Sequence, residues 1–252
     1  MTDALLEVSG LEKSFNGVTA LADFSCLLAE GETLGIIGPN GAGKTTLFNV
    51  ITGFLLPDKG IVLFKGQALL GRPAYKVALT GIARTFQDLR LIQGISVLDN
   101  VLLMFPDQPG ERLRNTLFRW WACTRREKEI TEESLKLLAD AGLVEKAHDL
   151  AENLSYGQQK LLSLVCCLAS GAKLLLLDEP VAGIAPEMAE KILGMIRSLP
   201  GEGKSAILIE HNMGAIWDVC DRVIFMDAGR KISEGLPGEV RNDPKVIEAY
   251  LD

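Results

Sequence analysis

Gly38-Pro39-Asn40-Gly41-Ala42-Gly43-Lys44-Thr45-Thr46 constrains this chain more than any other stretch. Ahead of it runs Thr33-Leu34-Gly35-Ile36-Ile37, short, apolar and partly β-branched, which reads as a buried strand. After it, Leu47, Val50 and Ile51 fall at i, i+3, i+4, one face of a helix. Strand, glycine loop and helix in that order match the context of a phosphate loop, G-x-x-x-x-G-K-[ST]. Gly38, Gly41 and Gly43 permit positive φ and turn backbone N–H groups inward, with no Cβ against an approaching oxygen. The positive end of the helix faces the same point. Lys44 supplies charge for β/γ-phosphate oxygens, and the Thr45 hydroxyl can complete a Mg²⁺ shell.

The 252 residues suit one large domain, or a core with a subdomain. With 48% apolar and 23% charged residues the chain can bury a sizeable core, and its net charge of −7 argues against a surface that coats nucleic acid. Five cysteines (Cys26, Cys123, Cys166, Cys167, Cys220) show no C-x-x-C spacing and read as reduced, packed thiols of the cytosol. No basic flank precedes an apolar block near the N-terminus, so no signal peptide is expected, and the apolar runs 161–169 and 174–177 are too short to span a bilayer.

Strands are expected over 5–8 and 24–28 with a turn at Asn16-Gly17, and over 61–64 after the turn Pro57-Asp58-Lys59-Gly60. Phe15, in a polar neighbourhood, is either a small core residue or a ring stacked on a nucleotide base. Pro73 suits the first position of a short helix to Leu79. Residues 82–86 read as a strand ending at Gln87, whose amide would lie where ligands meet open α/β sheets; a solvated loop glutamine is the competing reading.

From 96 to 150 the pattern turns helical. Thr124-x-x-Glu127 reads as a capping box, and Ile130, Ser134, Leu137 and Ala141 share a face before Gly142. The basic and aromatic stretch of Arg112, Arg114, Arg119, Trp120, Trp121, Arg125, Arg126 and Lys128 reads first as a solvated helix face, then as a membrane-proximal one, and last as a nucleic-acid surface. Leu154-Ser155-Tyr156-Gly157-Gln158 heads a long apolar helix. Ser155 and Gln158 there form either an ordinary cap or, with Gly157, a second phosphate-binding surface.

Leu174-Leu175-Leu176-Leu177 reads as a strand buried on both faces, with Asp178 and Glu179 at its carboxyl end. Two acids against apolar strand cost free energy unless a cation offsets it. Asp178 is placed for Mg²⁺, and Glu179, on the opposite side of the pleat, can take a proton from water. A helix from Pro186, a strand over 205–209 ending at Glu210-His211, a hairpin over Asp227-Ala228-Gly229 and a helix after Pro244 complete the chain. His211 reads either as a satisfied structural histidine or, from its place at a strand end, as a γ-phosphate contact, and His148 reads as structural.

Taken in order across nearly all 252 residues, the glycine loop, Gln87, Leu154-Ser155-Tyr156-Gly157-Gln158, Leu177-Asp178-Glu179-Pro180 and His211 resemble the ATP-binding cassette subunits of ABC transporters. The Ser-Tyr-Gly-Gln element makes the match specific. The resemblance implies an α/β fold: a phosphate-loop NTPase core with a mixed sheet (1–95 and 151–252), an N-terminal antiparallel β subdomain and an inserted helical subdomain (96–150).

It also implies a set of roles. Phe15 would stack on adenine, and Gly38, Pro39, Asn40, Gly41, Ala42, Gly43, Lys44, Thr45 and Thr46 would hold the phosphates of ATP. Thr45, Gln87 and Asp178 would serve Mg²⁺, Glu179 would be the general base and His211 the γ-phosphate sensor. Ser155, Gly157 and Gln158 would contact nucleotide held by a second cassette. The implied partners are that cassette, identical or a sister chain, two membrane-spanning permease subunits, and through them a periplasmic or extracellular solute-binding protein. Nucleic acid is not among them, and the place of work is the cytoplasmic face of the membrane.

Gly81-Ile82-Ala83-Arg84-Thr85-Phe86-Gln87, Ser96-Val97-Leu98-Asp99-Asn100-Val101, the Trp-containing insert and the Ala249-Tyr250-Leu251 tail are similar to branched-chain amino-acid importer cassettes, with amide and urea importers as close relatives. Two positions depart from the family: Tyr156 replaces the commonest glycine of its signature, and Ala185 stands where Asp or Asn is usual. The rival classes are a soluble mechanical ABC ATPase and a nucleotide-binding regulator that does not hydrolyse. The first usually carries two cassettes or a long coiled coil, neither of which is here, and the adjacent Asp178-Glu179 argues against the second.

Overall fold

The computed structural model describes residues 4–106 and 120–251. Arg112, Arg114 and Arg119 of the basic stretch lie outside the described residues, as do the side chains of Trp120, Trp121 and Cys123. The chain divides into two compact units, Met1–Gln87 with Lys173–Ala182 and Leu193–Asp252, and Asp88–Ala172 with Gly183–Ile192.

The first unit holds two sheets. Strands β1 (Leu6–Phe15), β2 (Val18–Leu28), β4 (Lys59–Phe64) and β5 (Gln67–Ala68) form an antiparallel sheet ordered β2-β1-β4-β5. Both β1 and β2 run well beyond the short apolar cores expected. The Asn16-Gly17 turn between them has φ of 48° and 87°, and two positive-φ residues match the twist of a tight hairpin. The second sheet is mixed. It consists of β3 (Thr33–Ile37), β6 (Ile82–Arg84), β7 (Leu174–Asp178), β8 (Ser205–Ile209), β9 (Arg222–Asp227) and β10 (Arg230–Gly235), in the order β10-β9-β3-β8-β7-β6. All neighbours pair in parallel except β9 and β10.

Every residue of β3, β7 and β8 is buried, which explains their unbroken apolar sequences: a parallel strand covered on both faces has no solvent side to make polar. The helix Lys44–Ile51 contributes Leu47, Phe48, Val50 and Ile51 to the core cluster that also takes Leu6, Phe24 and Phe64 from the antiparallel sheet and Leu34, Leu176 and Ile207 from the mixed one. Burying a side chain of that size is worth about 1.5–3 kcal/mol. The glycine loop is therefore anchored at both ends in one core.

In the second unit Ser96 caps the helix Val97–Leu102 through a 3.0 Å bond from the Asp99 N–H. Asn100 is buried and ties that helix to the preceding loop, its Oδ1 accepting from the Ile92 N–H and its Nδ2 donating to the carbonyls of Ile92 and Ser96. Ile130, Ser134 and Leu138 form the buried stripe of the helix Trp120–Asp140, with Ala141 buried just past its end; Leu137, expected on that face, is only half-buried, and Gly142 follows with φ 67°. The unit takes in the expected insert, 96–150, together with 88–95, 151–172 and 183–192. Apolar burial sets that extent, because the helix Tyr156–Ala169 packs on Val97–Leu102 and Trp120–Asp140.

Four local expectations need correction. The helix runs unbroken through Thr124 from Trp120, so Thr124 lies inside the helix and not at its start. Strand β6 stops at Arg84, two residues before the expected end. Pro73 is the residue before the helix Ala74–Ala78, not its first turn. Glu179 leaves the pleat altogether, at φ 49°. A short helix at Pro237–Arg241 carries no apolar periodicity long enough to announce it.

Candidate functional site

In the first unit the sheet order places β8 between β3 and β7, and register makes Ile36 and Asp178 both partners of Ile209. The glycine loop after Ile37 and the acids after Leu177 therefore leave from one carboxyl edge. Gly38, Gly41 and Gly43 have φ of 149°, 84° and 99°. Their reasons differ. A Cβ at Gly38 would stand 2.0 Å from the Met226 carbonyl oxygen, and one at Gly43 2.3 Å from that of Ala20, whereas a Cβ at Gly41 would meet nothing within 4 Å. Two glycines are thus demanded by the protein's own backbone as well as by φ, and Gly41 by φ alone.

Lys44 is buried, and its Nζ donates to the carbonyl oxygens of Gly38 at 2.6 Å and Pro39 at 2.8 Å, closing the loop on itself. Burial pushes its pKa down, and the charges of Glu179 and Asp178 push it back up, so both acids lie within electrostatic reach of the ammonium. Pro39 and Thr46 are half-buried, Ala42 is buried, and Asn40 and Thr45 face solvent.

Asp178 is buried, and its Oδ2 lies 3.0 Å from the equally buried Arg84 guanidinium. Burial pushes its pKa up, and the hydrogen bond and charge of Arg84 pull it back without cancelling the rise. Arg84 also donates to Asn49 Oδ1 at 2.7 Å and lies 5.3 and 4.9 Å from the ring centroids of Phe48 and Phe86. Thr85 Oγ1 accepts the Asp178 N–H at 3.0 Å. That bond follows the last backbone bond between the two strands, from the Thr85 N–H to the Leu176 carbonyl, and Gln87 lies beyond it in a bend, exposed, rather than at a strand terminus. The Glu179 N–H donates to the Ile209 carbonyl at 2.9 Å, and its Oε1 lies 3.3 Å from His211 Nε2. Phe15 is 45% exposed with Lys13 Nζ 5.5 Å from its ring centroid, which rules out the core reading.

In the second unit Ser155 Oγ accepts from the Gln158 N–H at 3.3 Å, and Gln158 Oε1 accepts from the Ser155 N–H at 3.0 Å, a full capping box. Ser155 itself remains exposed. A Cβ on Gly157 would come within 3.0 Å of Met188 Cγ, so glycine there seats a neighbouring side chain. Tyr156 is exposed, with Lys160 Nζ 5.3 Å from its ring centroid. Ala185 accepts the N–H groups of Met188 and Ala189 through its carbonyl, the geometry of a helix N-terminus, but its methyl offers no capping oxygen.

Arg84, Thr85, Asn49 and Glu210 escaped the sequence reading. Arg84 left a trace as the one charge in the expected strand 82–86, and its register partner Leu176 lies two residues from Asp178, on the same face. Among the described residues no group of three or more His, Cys, Asp or Glu could hold a metal by itself. Thr45, Gln87 and Asp178 offer only oxygen donors, one of them a desolvated carboxylate. That set fits Mg²⁺, which needs one or two carboxylates when phosphate oxygens complete its shell.

Fold and loop define a phosphate-loop nucleotide-binding protein. A family model described as "ABC transporter" matches residues 21–182, and one described as "Branched-chain amino acid ATP-binding cassette transporter" matches residues 230–251. Relatives include the high-affinity branched-chain amino acid transport ATP-binding proteins BraF of Pseudomonas aeruginosa, 35% identical, and LivG of Salmonella typhimurium, 37% identical, each over 100% of this chain and 99% of the relative. A solved nucleotide-free ATP-binding cassette from an ABC transporter aligns with TM-score 0.84 and 34% identity, covering 99% of both chains. One in the ADP conformation aligns with TM-score 0.84 and 33% identity over the same shares. The chain belongs to the ABC transporter family and is one of its ATPase cassettes.

Proposed function

We propose that the chain energises the uptake of branched-chain or other hydrophobic amino acids, working at the cytoplasmic face of the membrane through separate permease subunits that receive solute from a binding protein. Supporting this are 35% and 37% identity over the full length to two proteins named for branched-chain amino acid transport and the matching C-terminal family segment. No helix among the described residues is long and apolar enough to cross a membrane, so passage of the solute falls to other chains. Amide or urea uptake is the nearest other cargo.

The single observation that carries the chemistry is the convergence of the Lys44 loop, Asp178 and the Glu179–His211 pair on one sheet edge. The amides of 38–46 bind the phosphates, and Lys44 adds charge where it develops in the transition state. Asp178 with Thr45 and Gln87 would hold Mg²⁺, which supplies charge neutralisation at the phosphate oxygens. Glu179 takes a proton from the attacking water. His211, at 3.3 Å, orients Glu179 and reads the terminal phosphate. Phe15, half-exposed, offers a face to adenine. The exposed Ser155, with Gly157 and Gln158, contacts nucleotide held by a second cassette, the helical residues 96–150 standing as a subdomain of the nucleotide-binding core.

The test is a pair of variants assayed for ATP binding and phosphate release. Glu179→Gln keeps ATP binding and loses hydrolysis by at least ~10²-fold; Lys44→Ala loses binding itself. Full turnover in the first, or undiminished affinity in the second, removes that residue from the mechanism.

A further inference from the structure

Where the backbone ladder between β7 and β8 ends, a side chain continues it. The last backbone bond is from the Glu179 N–H to the Ile209 carbonyl, after which the two chains part. Glu210, 1% exposed, sits at the parting. Its Oε1 accepts the Val181 N–H at 2.7 Å, and its Oε2 accepts the N–H groups of His211 at 3.2 Å and Asn212 at 3.4 Å. A carboxylate this deeply buried is tolerated only when such donors replace its hydration.

Glu179 has a left-handed backbone that a non-glycine residue holds only under constraint from its surroundings. Its carboxylate and the His211 imidazole are themselves partly solvated, 21% and 42% exposed, yet stand 3.3 Å apart. Fixing the two backbones relative to each other limits how far such side chains can separate. Beyond the Glu179 N–H to Ile209 carbonyl bond, the Glu210 carboxylate joins the two backbones, at Val181, two positions past Glu179, and at His211 itself.

We propose that Glu210 is a positioning residue of the hydrolytic centre: its buried carboxylate clamps the chain following Glu179 to the chain at His211 and thereby holds those two side chains in register. The inference rests on the hydrolytic roles given above to Glu179 and His211. Gln cannot substitute, because it turns one acceptor oxygen into an NH₂ donor facing backbone N–H groups.

The chain has two histidines, His148 and His211, so imidazole NMR signals of the full-length, nucleotide-free protein report the pair directly. In Glu210→Gln the His211 signals move toward the position they take in Glu179→Gln while those of His148 stay put, and kcat falls at least ~10-fold with the KM for ATP within about 2-fold of wild type. His211 signals left in place in folded Glu210→Gln protein overturn the proposal, and so does an unchanged kcat. Should that variant not fold, hydrogen exchange in the wild-type protein decides instead: the Val181 and His211 amides exchange slowly if the clamp persists, and exchange at open-loop rates overturns it. Retained turnover in Glu179→Gln would instead refute the hydrolytic assignment, while the His211 signals still decide whether the clamp exists.

Discussion

The Arg84 guanidinium and the Asp178 carboxylate, both buried, meet at 3.0 Å between adjacent parallel strands. The cation that the strand-end acids require is thus built into the chain. Arg84 holds Asp178 from within the fold, and the rise in its pKa that burial imposes is only partly opposed by Arg84.

Arg84→Met should cost about 3–5 kcal/mol, because it strands a buried carboxylate. Chemical denaturation of the nucleotide-free protein measures the loss. Combining it with Asp178→Leu should restore part of the stability, as expected when both charges of a buried pair are removed together; a double variant no more stable than Arg84→Met would contradict the pairing.

The loop glycines should separate by mechanism. Gly41→Ala meets open space and should cost only the strain of positive φ, about 1–2 kcal/mol. Gly38→Ala and Gly43→Ala drive a methyl onto backbone carbonyls at 2.0 and 2.3 Å and should cost considerably more. Thermal unfolding without nucleotide ranks the three, and equal losses would deny that backbone contact sets the requirement.

Ala185 fills a helix N-terminal position with no capping oxygen. Ala185→Asn should stabilise the protein by about 1 kcal/mol, within the ordinary range for a restored cap. A melting midpoint that does not rise would show that the position does not behave as a cap.

Asp58 accepts from Lys13 Nζ at 2.7 Å and from the Ser14 N–H at 2.8 Å, and these bonds, the Lys13 one foremost, hold its pKa below the ordinary aspartate value. A depressed folded pKa means that the contribution to stability is complete above the unfolded value and is lost as pH falls through the folded one. Asp58→Asn should therefore be less stable than wild type at neutral pH, and the two should converge as pH falls below the ordinary aspartate range. Denaturation midpoints across that range test the sign.

Much of the site was legible because its signals are local. The strand at Thr33–Ile37, the helix Lys44–Ile51, the capping box at Ser155 and Gln158 and the fully buried strand before Asp178 all follow from a few consecutive residues. The burial of Cys26, Cys166, Cys167 and Cys220 likewise matched their apolar surroundings, with desolvation holding the Cys26, Cys167 and Cys220 thiols at about 12. Thr124 misled because a capping pattern looks the same inside a helix as at its start. Gln87 was placed at a strand end because 82–86 read as one strand, whereas the strand stops at Arg84 and the Asp178 N–H turns to the hydroxyl of Thr85.

What the sequence determined by itself was the phosphate loop with its strand and helix, the acids at a buried strand's end, and through their order the family. Tertiary structure alone decided which cation faces Asp178, which carbonyls exclude a Cβ from Gly38 and Gly43, and which carboxylate ties Glu179 to His211. Periodicity and turn chemistry act between residues a few positions apart, so a sequence displays them. Arg84 and Asp178 are 94 positions apart, and Val181 and Glu210 are 29 apart. Only the strand order of the sheet brings such partners within hydrogen-bonding distance.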